Sequence, residues 1–223
     1  LSLRRQRLMC IRDRDIRFVC HLNLPSSIEA YYQEIGRAGR DGAPAETLML
    51  YGLDDVRLRR MFIVQDGKDK AHKLREHKRL DSLMAYCEAS QCRRSALLSY
   101  FDEEIEACGN CDNCLNPPKV VDGTSQARML FAAIMETGQY FGATHIIDIL
   151  RGADNQKIRE KRHSSLYSHG SGKNYSKEYW QAFIRQTVAG GFLSINVQKY
   201  GCLEITTRGQ TVLSDDAAFH FCE

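Results

Sequence analysis

Three of the nine cysteines in this chain of 223 residues lie within seven residues of one another, at Cys108, Cys111 and Cys114. The spacing C-x-x-C-x-x-C brings three thiolates onto one short loop, and Gly109 and Asn110 allow the backbone to fold around an ion. Zn(II) prefers four ligands in a tetrahedron, so a fourth sulfur must come from elsewhere in the chain. Metal ligation of this kind contributes directly to folding.

Cys92 and Cys87 are the two candidates for the fourth ligand. Cys92 precedes Arg93 and Arg94 at the predicted start of a helix, where the helix N-terminus and nearby cations favour a thiolate. Cys87 falls on an apolar helical face, which indicates a buried structural thiol. The favoured set is therefore Cys92 with the three clustered cysteines.

A redox-active C-x-x-C is the alternative interpretation of the cysteine loop. That motif normally opens a helix after a strand, and the pattern around residues 108–114 predicts no such context. A closed set of four thiolates leaves no open coordination position, so the predicted zinc is structural rather than catalytic.

The composition fits an ordinary globular protein, with 43% hydrophobic and 26% charged residues. No run approaches the ~18 apolar residues of a membrane helix, so we expect no membrane partner. The chain shows no apolar signal-peptide segment, and the odd number of cysteines argues against a disulfide framework. A net charge of +3 is compatible with a nucleic-acid partner without requiring one.

The pattern along the chain predicts an α/β fragment, then a helical module, then a small mostly helical domain with a β-hairpin. Residues 1–14 are Arg-rich, resemble translated sequencing-adapter read-through, and are excluded from functional reasoning, with a basic helix as the alternative. Strand-like runs at 17–22 and 47–51 flank a predicted helix that begins after Ser27 and runs through Arg40. This unit is too short to be a whole α/β domain, so residues 15–53 are interpreted as the end of a larger one.

Residues 54–118 are predicted to form a helical zinc-binding module, and 119–215 a winged helix, with 216–223 as a tail. The winged-helix prediction rests on helices at 125–138, 144–150 and 155–161 and on a long helix capped by Ser176. Trp180, Phe183 and Ile184 begin an apolar stripe on that helix. Two alternating runs around residues 198–201 then predict a hairpin, which completes the order of a winged helix.

The segment QEIGRAGRDG, residues 33–42, is the second feature that indicates chemistry. Arg37 and Arg40 are predicted to share one helical face, and small residues between them allow close approach to another surface. A guanidinium directed at a transferring phosphoryl group stabilises the charge that develops there. A solvated basic turn is the alternative, but the length of the string favours the functional interpretation.

This string resembles motif VI of superfamily 2 helicases, in the form found in the RecQ family. CRRSALLSYF followed by CGNCDNC is similar to the RecQ zinc-binding module, and the segments from RGADNQKIRE to LEIT are similar to the RecQ winged helix. The resemblance implies the C-terminal part of an ATP-dependent 3′–5′ DNA helicase that uses ATP and Mg(II) in DNA repair, recombination and replication. It implies that Arg40 is an arginine finger supported by Arg37 and Gln33, and that the zinc ligands are Cys92, Cys108, Cys111 and Cys114.

The chain departs from the family pattern in carrying neither a G-x-x-x-x-G-K-[ST] loop nor a D-E-x-H motif. We therefore expect this chain to be inactive towards ATP by itself. The alternative function is a free-standing, zinc-containing winged-helix regulator that binds DNA without a motor. The expected location is the bacterial cytoplasm, associated with the nucleoid, or the nucleus in a eukaryote.

DNA is the expected partner, as duplex and fork junction, contacted mainly through phosphates. The candidate contacts are basic residues of the winged helix: Lys157, Arg159, Lys177, Arg185 and Lys199. Solvated basic faces are the common alternative for such residues. Binding through phosphates predicts a strong dependence on salt and little dependence on sequence.

Overall fold

The computed structural model describes residues 15–214 and 217–223, so the interpretation of residues 1–14 lies outside the described residues. The N-terminal part is a strand, a helix and a second strand: β1 (Phe18–His21), α1 (Ile28–Ile35) and β2 (Glu46–Met49). The strands are parallel, with Phe18 opposite Glu46. The Ser27 hydroxyl accepts a hydrogen bond from the Ala30 N–H and starts α1. The predicted strand, helix and strand are confirmed.

The prediction that Arg37 and Arg40 share a helical face is wrong, because α1 ends at Ile35. The chain continues in turns, and Gly39 adopts φ +66°, a left-handed conformation that ends any helix. The N–H of Gly39 donates to the carbonyl of Ile16 at 3.0 Å, which ties the turn to the start of β1. The motif is therefore a glycine-containing turn and not a helical surface.

Four helices form the zinc module: α2 (Leu53–Gln65), α3 (Lys70–Cys87), α4 (Arg93–Ser99) and α5 (Asp112–Leu115). The long helix α3 is capped by Asp69, whose carboxylate accepts a hydrogen bond from the N–H of His72 at 2.7 Å. The buried side chains of the module are mainly aliphatic: Val56, Leu80, Leu83, Met84, Ala96 and Leu97. Helix α3 also packs on α1 and on the following domain, so it is the central element of the molecule.

The winged helix contains a larger set of elements. In chain order these are β3 (Val120–Asp122), α6 (Thr124–Glu136), α7 (Ala143–Leu150), α8 (Gln156–Glu160), α9 (Lys177–Ala189), β4 (Leu193–Asn196), β5 (Cys202–Ile205), α10 (Thr207–Leu213) and β6 (His220–Cys222). Strands β4 and β5 are antiparallel with Leu193 opposite Ile205, which confirms the hairpin. The hydroxyl of Ser176 accepts from the N–H of Tyr179 and caps α9 as expected.

The separate tail predicted for 216–223 is wrong for the residues described. Strand β6 pairs antiparallel with β3, and Phe219 and Phe221 are each 3% exposed. The side-chain amide of Gln186 on α9 exchanges two hydrogen bonds of 2.9 Å with the backbone of Cys222. This segment completes the core of the winged helix, because two of its aromatic rings are buried against α9.

Within the described ranges, no helix combines the length and the apolar character that crossing a bilayer requires.

Candidate metal centre and nucleic-acid interface

Four sulfur atoms converge at one point of the zinc module. The Sγ atoms of Cys92, Cys108, Cys111 and Cys114 all lie within 4.8 Å of one another, and those of Cys92 and Cys111 are 4.0 Å apart. A tetrahedral zinc ion with Zn–S bonds of ~2.3 Å requires sulfur separations of about 3.8 Å. The donor set therefore fits a structural zinc ion, and its four ligands are those expected from the sequence.

Helix starts and a tight turn place these sulfurs. Cys92 immediately precedes α4 and Cys111 immediately precedes α5, while Cys114 lies inside the short helix α5. Gly109 adopts φ +70°, which lets the backbone turn between Cys108 and Cys111. The local sequence thus presents three sulfurs from one loop, and the packing of α3 against α4 brings the fourth.

Backbone N–H groups stabilise negative charge on the sulfurs. The N–H of Cys108 donates to Cys92 Sγ and the N–H of Arg93 donates to Cys111 Sγ, each at 3.3 Å. Burial opposes ionisation of Cys92, but the hydrogen bonds from Cys108 and Ser95 outweigh it and lower the pKa of this thiol to about 6. These contacts favour the thiolate form that a metal requires.

Three side chains support the cysteine cluster, and of these only Arg93 was expected from the sequence, as a cation near Cys92. The Arg93 guanidinium pairs with Asp112 at 3.0 Å and also donates to the carbonyls of Tyr86 and Cys87 at 3.1 and 2.8 Å. The side-chain amide of Asn113 donates to the carbonyls of Ala89 and Gln91 at 2.7 and 2.8 Å. Both Asp112 and Asn113 lie between cysteines, so polar residues inside the cysteine spacing were the available signal.

Cys87 lies outside the sulfur cluster. Burial, together with the charge of Glu88, raises the pKa of its thiol to about 12. A protonated thiol is a poor metal ligand and a poor nucleophile, so Cys87 is a packing residue of α3.

Gln33, on the last turn of α1, and Arg37 and Arg40, in the turn that follows, are all exposed. The Nε of Arg40 donates to the carbonyl of Gly36 at 3.2 Å. The base of the turn is held by a bidentate pair between Arg17 and Asp41, and this guanidinium lowers the pKa of the Asp41 carboxyl to about 2. The turn therefore has a defined anchor while its two arginines remain accessible.

Four of the five candidate DNA contacts lie on the surface of the winged helix. Lys157 and Lys177 are exposed. Arg159 is paired with Asp154 at 2.6 Å, and Lys199 with Glu204 at 2.9 Å, both at exposed positions. Exposed pairs of this kind exchange readily with other partners, so all four side chains remain available to phosphate groups.

Arg185 occupies a different environment from the other four. Its Nε donates to Glu88 at the end of α3, and its guanidinium lies 5.4 Å from the centre of the Tyr51 ring. Its side chain is only 28% exposed. This placement argues against the expected phosphate contact, because the guanidinium is directed at the zinc module. Arg185 lies on the polar side of α9, but that part of the helix faces another domain and not the solvent.

Two family descriptions match the chain. A domain described as the RQC domain matches residues 117–221, and a region described as RecQ zinc-binding matches residues 53–115. The second match contains the four cysteines, and the first begins shortly before β3 and ends within β6.

Similar proteins include helicases from bacteria and animals. The chain is 40% identical over 210 residues to the ATP-dependent DNA helicase RecQ of Haemophilus influenzae, covering 93% of this chain and 34% of that protein. It is 32% identical over 209 residues to the protein of the same name from Bacillus subtilis, covering 93% and 35%. A mouse bifunctional 3′-5′ exonuclease/ATP-dependent helicase WRN is 32% identical over 208 residues, covering 83% and 14%. The chain thus spans about a third of the length of the bacterial relatives.

Proposed function

The chain belongs to the RecQ family, and from that premise we propose that it supplies three parts of an ATP-dependent 3′–5′ DNA helicase. These parts are a structural zinc module, a winged helix that binds duplex and fork DNA, and the arginine-finger motif. The observation that carries the proposal is the convergence of four sulfurs within 4.8 Å inside the region that matches the RecQ zinc-binding description. The helicase would act in DNA repair, recombination and replication, in the bacterial cytoplasm on the nucleoid or in a eukaryotic nucleus.

Arg40 is the proposed arginine finger, with Arg37 and Gln33 as supporting residues. The bond from Arg40 Nε to the Gly36 carbonyl orients the guanidinium, and the Arg17–Asp41 pair holds the turn on β1. ATP and Mg(II) supply the phosphoryl group and a countercharge when bound to the complete enzyme. The role of Arg40 is then to stabilise charge that develops in the transition state, which affects turnover more than nucleotide binding.

Replacing Arg40 by alanine in a full-length helicase that carries this segment tests the finger. We expect steady-state ATP turnover to fall by roughly 10³-fold or more, with a smaller effect on nucleotide affinity. Zinc content should not change, because Arg40 lies outside the cysteine cluster. The matched control is Arg94→Ala, which removes an exposed arginine of the zinc module and should leave turnover unchanged.

Turnover of the Arg40→Ala enzyme at the parent rate would remove this residue from the role and make Arg37 the next candidate. If neither arginine affects ATP hydrolysis, the alternative of a free-standing, zinc-containing DNA-binding regulator is favoured. That alternative requires the winged helix and the zinc but gives the arginine turn no function.

The proposed DNA contacts are Lys157, Arg159, Lys177 and Lys199. Because phosphate contacts release counterions, the affinity of this chain for duplex DNA should fall steeply with salt. Lys157→Ala and Lys177→Ala should each reduce the slope of log affinity against log salt by about 1, with little change in sequence preference. Lys119→Ala, which changes a lysine that is 76% exposed at the edge of the domain, is the matched control. Binding that is independent of salt would contradict phosphate recognition.

A further inference from the structure

One carboxylate lies at the centre of the contact between the zinc module and the winged helix. Glu88 follows the last residue of α3, and its Oε1 accepts hydrogen bonds from the Tyr51 hydroxyl and from Arg185 Nε on α9. The side chain of Glu88 is 11% exposed and that of Arg185 is 28% exposed. The Arg185 guanidinium also lies over the Tyr51 ring, at 5.4 Å from its centre. Three segments that are distant in the sequence therefore meet at one ion pair.

The hairpin makes a second contact with the same part of the molecule. Gly201, immediately before β5, adopts φ +82°, and a Cβ at this position would lie 2.4 Å from Cδ of Arg57 on α2. The positive φ favours glycine at this position, and the turn lies against the side chain of Arg57. A cleft of about 580 Å³ lies between the domains and is lined by residues of both contacts. Helices α3 and α9 also pack directly on each other, so the two contacts add to an existing interface.

The ion pair between Glu88 and Arg185 affects the relative orientation of the two domains more than their stability. A partly buried ion pair adds little net stability compared with apolar packing, but separating its partners leaves a charge with poor solvation. The pair therefore favours one relative orientation of the domains over others. We propose that Tyr51, Glu88 and Arg185 form an interdomain latch that holds the winged helix in one orientation on the zinc module.

The latch also deepens the proposed function, on which its link to DNA unwinding rests. Tyr51 lies between β2 and α2, where the α/β part of the chain joins the zinc module. A duplex bound by the winged helix would thus be held at a defined position relative to the arginine turn. Arg185 would act here as a positioning residue, because its guanidinium is directed at Glu88 and Tyr51.

A double-mutant cycle tests the latch in this chain. Glu88→Gln and Arg185→Gln should each raise the hydrogen-exchange rates of residues 55–57 and 197–203, about 5- to 150-fold. These segments form the second contact, so a purely local role for Glu88 and Arg185 would not affect them. The double variant should exchange no faster than either single variant, because both changes break the same pair. Arg159→Gln, which breaks an ion pair within the winged helix, is the control and should leave both segments unchanged.

Unchanged exchange in both single variants, or rate increases that multiply in the double variant, would overturn the latch. DNA binding supplies a second test, since Arg185→Gln should keep duplex affinity within about twofold. A clear loss of affinity with a smaller salt slope would instead make Arg185 a phosphate contact and would also overturn the proposal.

The full-length enzyme separates the latch from the proposed function. Arg185→Gln should lower the number of base pairs unwound per ATP by about tenfold while DNA-stimulated ATP hydrolysis is retained. Equal unwinding per ATP in parent and variant would overturn the positioning role. A parent enzyme that hydrolyses no ATP and unwinds no DNA would overturn the proposed function, and the exchange experiment would still decide whether the latch exists.

Discussion

The zinc module and the winged helix are stabilised by different means although they are adjacent in the chain. The module buries a modest set of aliphatic side chains on α2, α3 and α4, and its loops are held by four cysteines and by polar contacts from Arg93 and Asn113. The winged helix buries a network of aromatic rings. The ring centre of Phe183 lies 5.6 Å from that of Trp180 and 5.0 Å from that of Phe221. Residues 102–111 form no helix or strand, so the metal replaces the missing core there.

This difference implies that the two regions respond to different perturbations. Zinc binding is coupled to folding only where the ligands are, whereas a packed aromatic core depends on shape and volume. Trp180 is the only tryptophan of the chain and is fully buried in the winged helix, so its fluorescence reports on that domain alone. Release of the metal reports on the zinc module.

The largest expected effect is the loss of zinc. Structural zinc sites bind with apparent free energies of about 10–16 kcal/mol, which equals or exceeds the stability of an ordinary domain. Cys111→Ser should therefore lower bound zinc and make residues 54–116 sensitive to protease, while Trp180 fluorescence remains native. Metal analysis and limited proteolysis provide the measurement.

Cys20→Ser is the control for that substitution, because Cys20 is exposed in β1 and lies outside the cluster. It should change neither zinc content nor the digestion pattern. Full zinc stoichiometry with unchanged proteolysis in Cys111→Ser would show that the metal does not hold the module together.

A core truncation in the winged helix should give the opposite pattern. Phe183 is fully buried and contacts the rings of Trp180, Phe219 and Phe221, so Phe183→Ala should lower the free energy of unfolding by about 3–5 kcal/mol. Urea unfolding followed by Trp180 fluorescence measures this loss, and zinc content should stay at the parent level. Phe62→Ala, at a phenylalanine that is 51% exposed on α2, should change stability by less than about 0.5 kcal/mol. Equal effects of the two substitutions would contradict the contrast between the regions.

A smaller effect on the stability of the winged helix is expected from pH. Burial, with Lys157 and His163 nearby, lowers the pKa of His145 from 6.5 to about 4. Between pH 6.5 and pH 4, His145 is protonated in the unfolded chain but remains neutral in the folded domain. The free energy of unfolding is therefore highest above about pH 6.5 and decreases as the pH falls towards 4. His145 alone should contribute a slope of at most about 1.4 kcal/mol per pH unit.

Unfolding of the winged helix at pH 7.5 and pH 5, followed by Trp180 fluorescence, measures that slope. His145→Gln should flatten it, since glutamine does not titrate, while His220→Gln, at an exposed histidine, should not. A parent domain that is equally stable at both values would show that His145 is protonated as easily in the fold as in water.

Local patterns predicted much of the fold because they depend on nearby residues. The capping serines Ser27 and Ser176, the apolar stripe of α9 and the hairpin turn all act within a few residues, and each is found as expected. The end of α1 was predicted too late, because the helix stops at Ile35 with Gly36 as its C-cap. The left-handed Gly39 then lies within the following turn, where the predicted helix would have continued.

The sequence by itself predicted the four cysteines that converge and the order of the main helices and the hairpin, since cysteine spacing and hydrophobic periodicity depend on local sequence. Only the tertiary structure decided which way Arg185 points, because its partner Glu88 lies 97 residues away. The tertiary structure also decided that β6 belongs to the winged helix. Strand β6 pairs with β3, which lies about a hundred residues earlier in the chain. Contacts between distant segments depend on how the elements pack, and that packing determines which charges face the solvent and which join two domains.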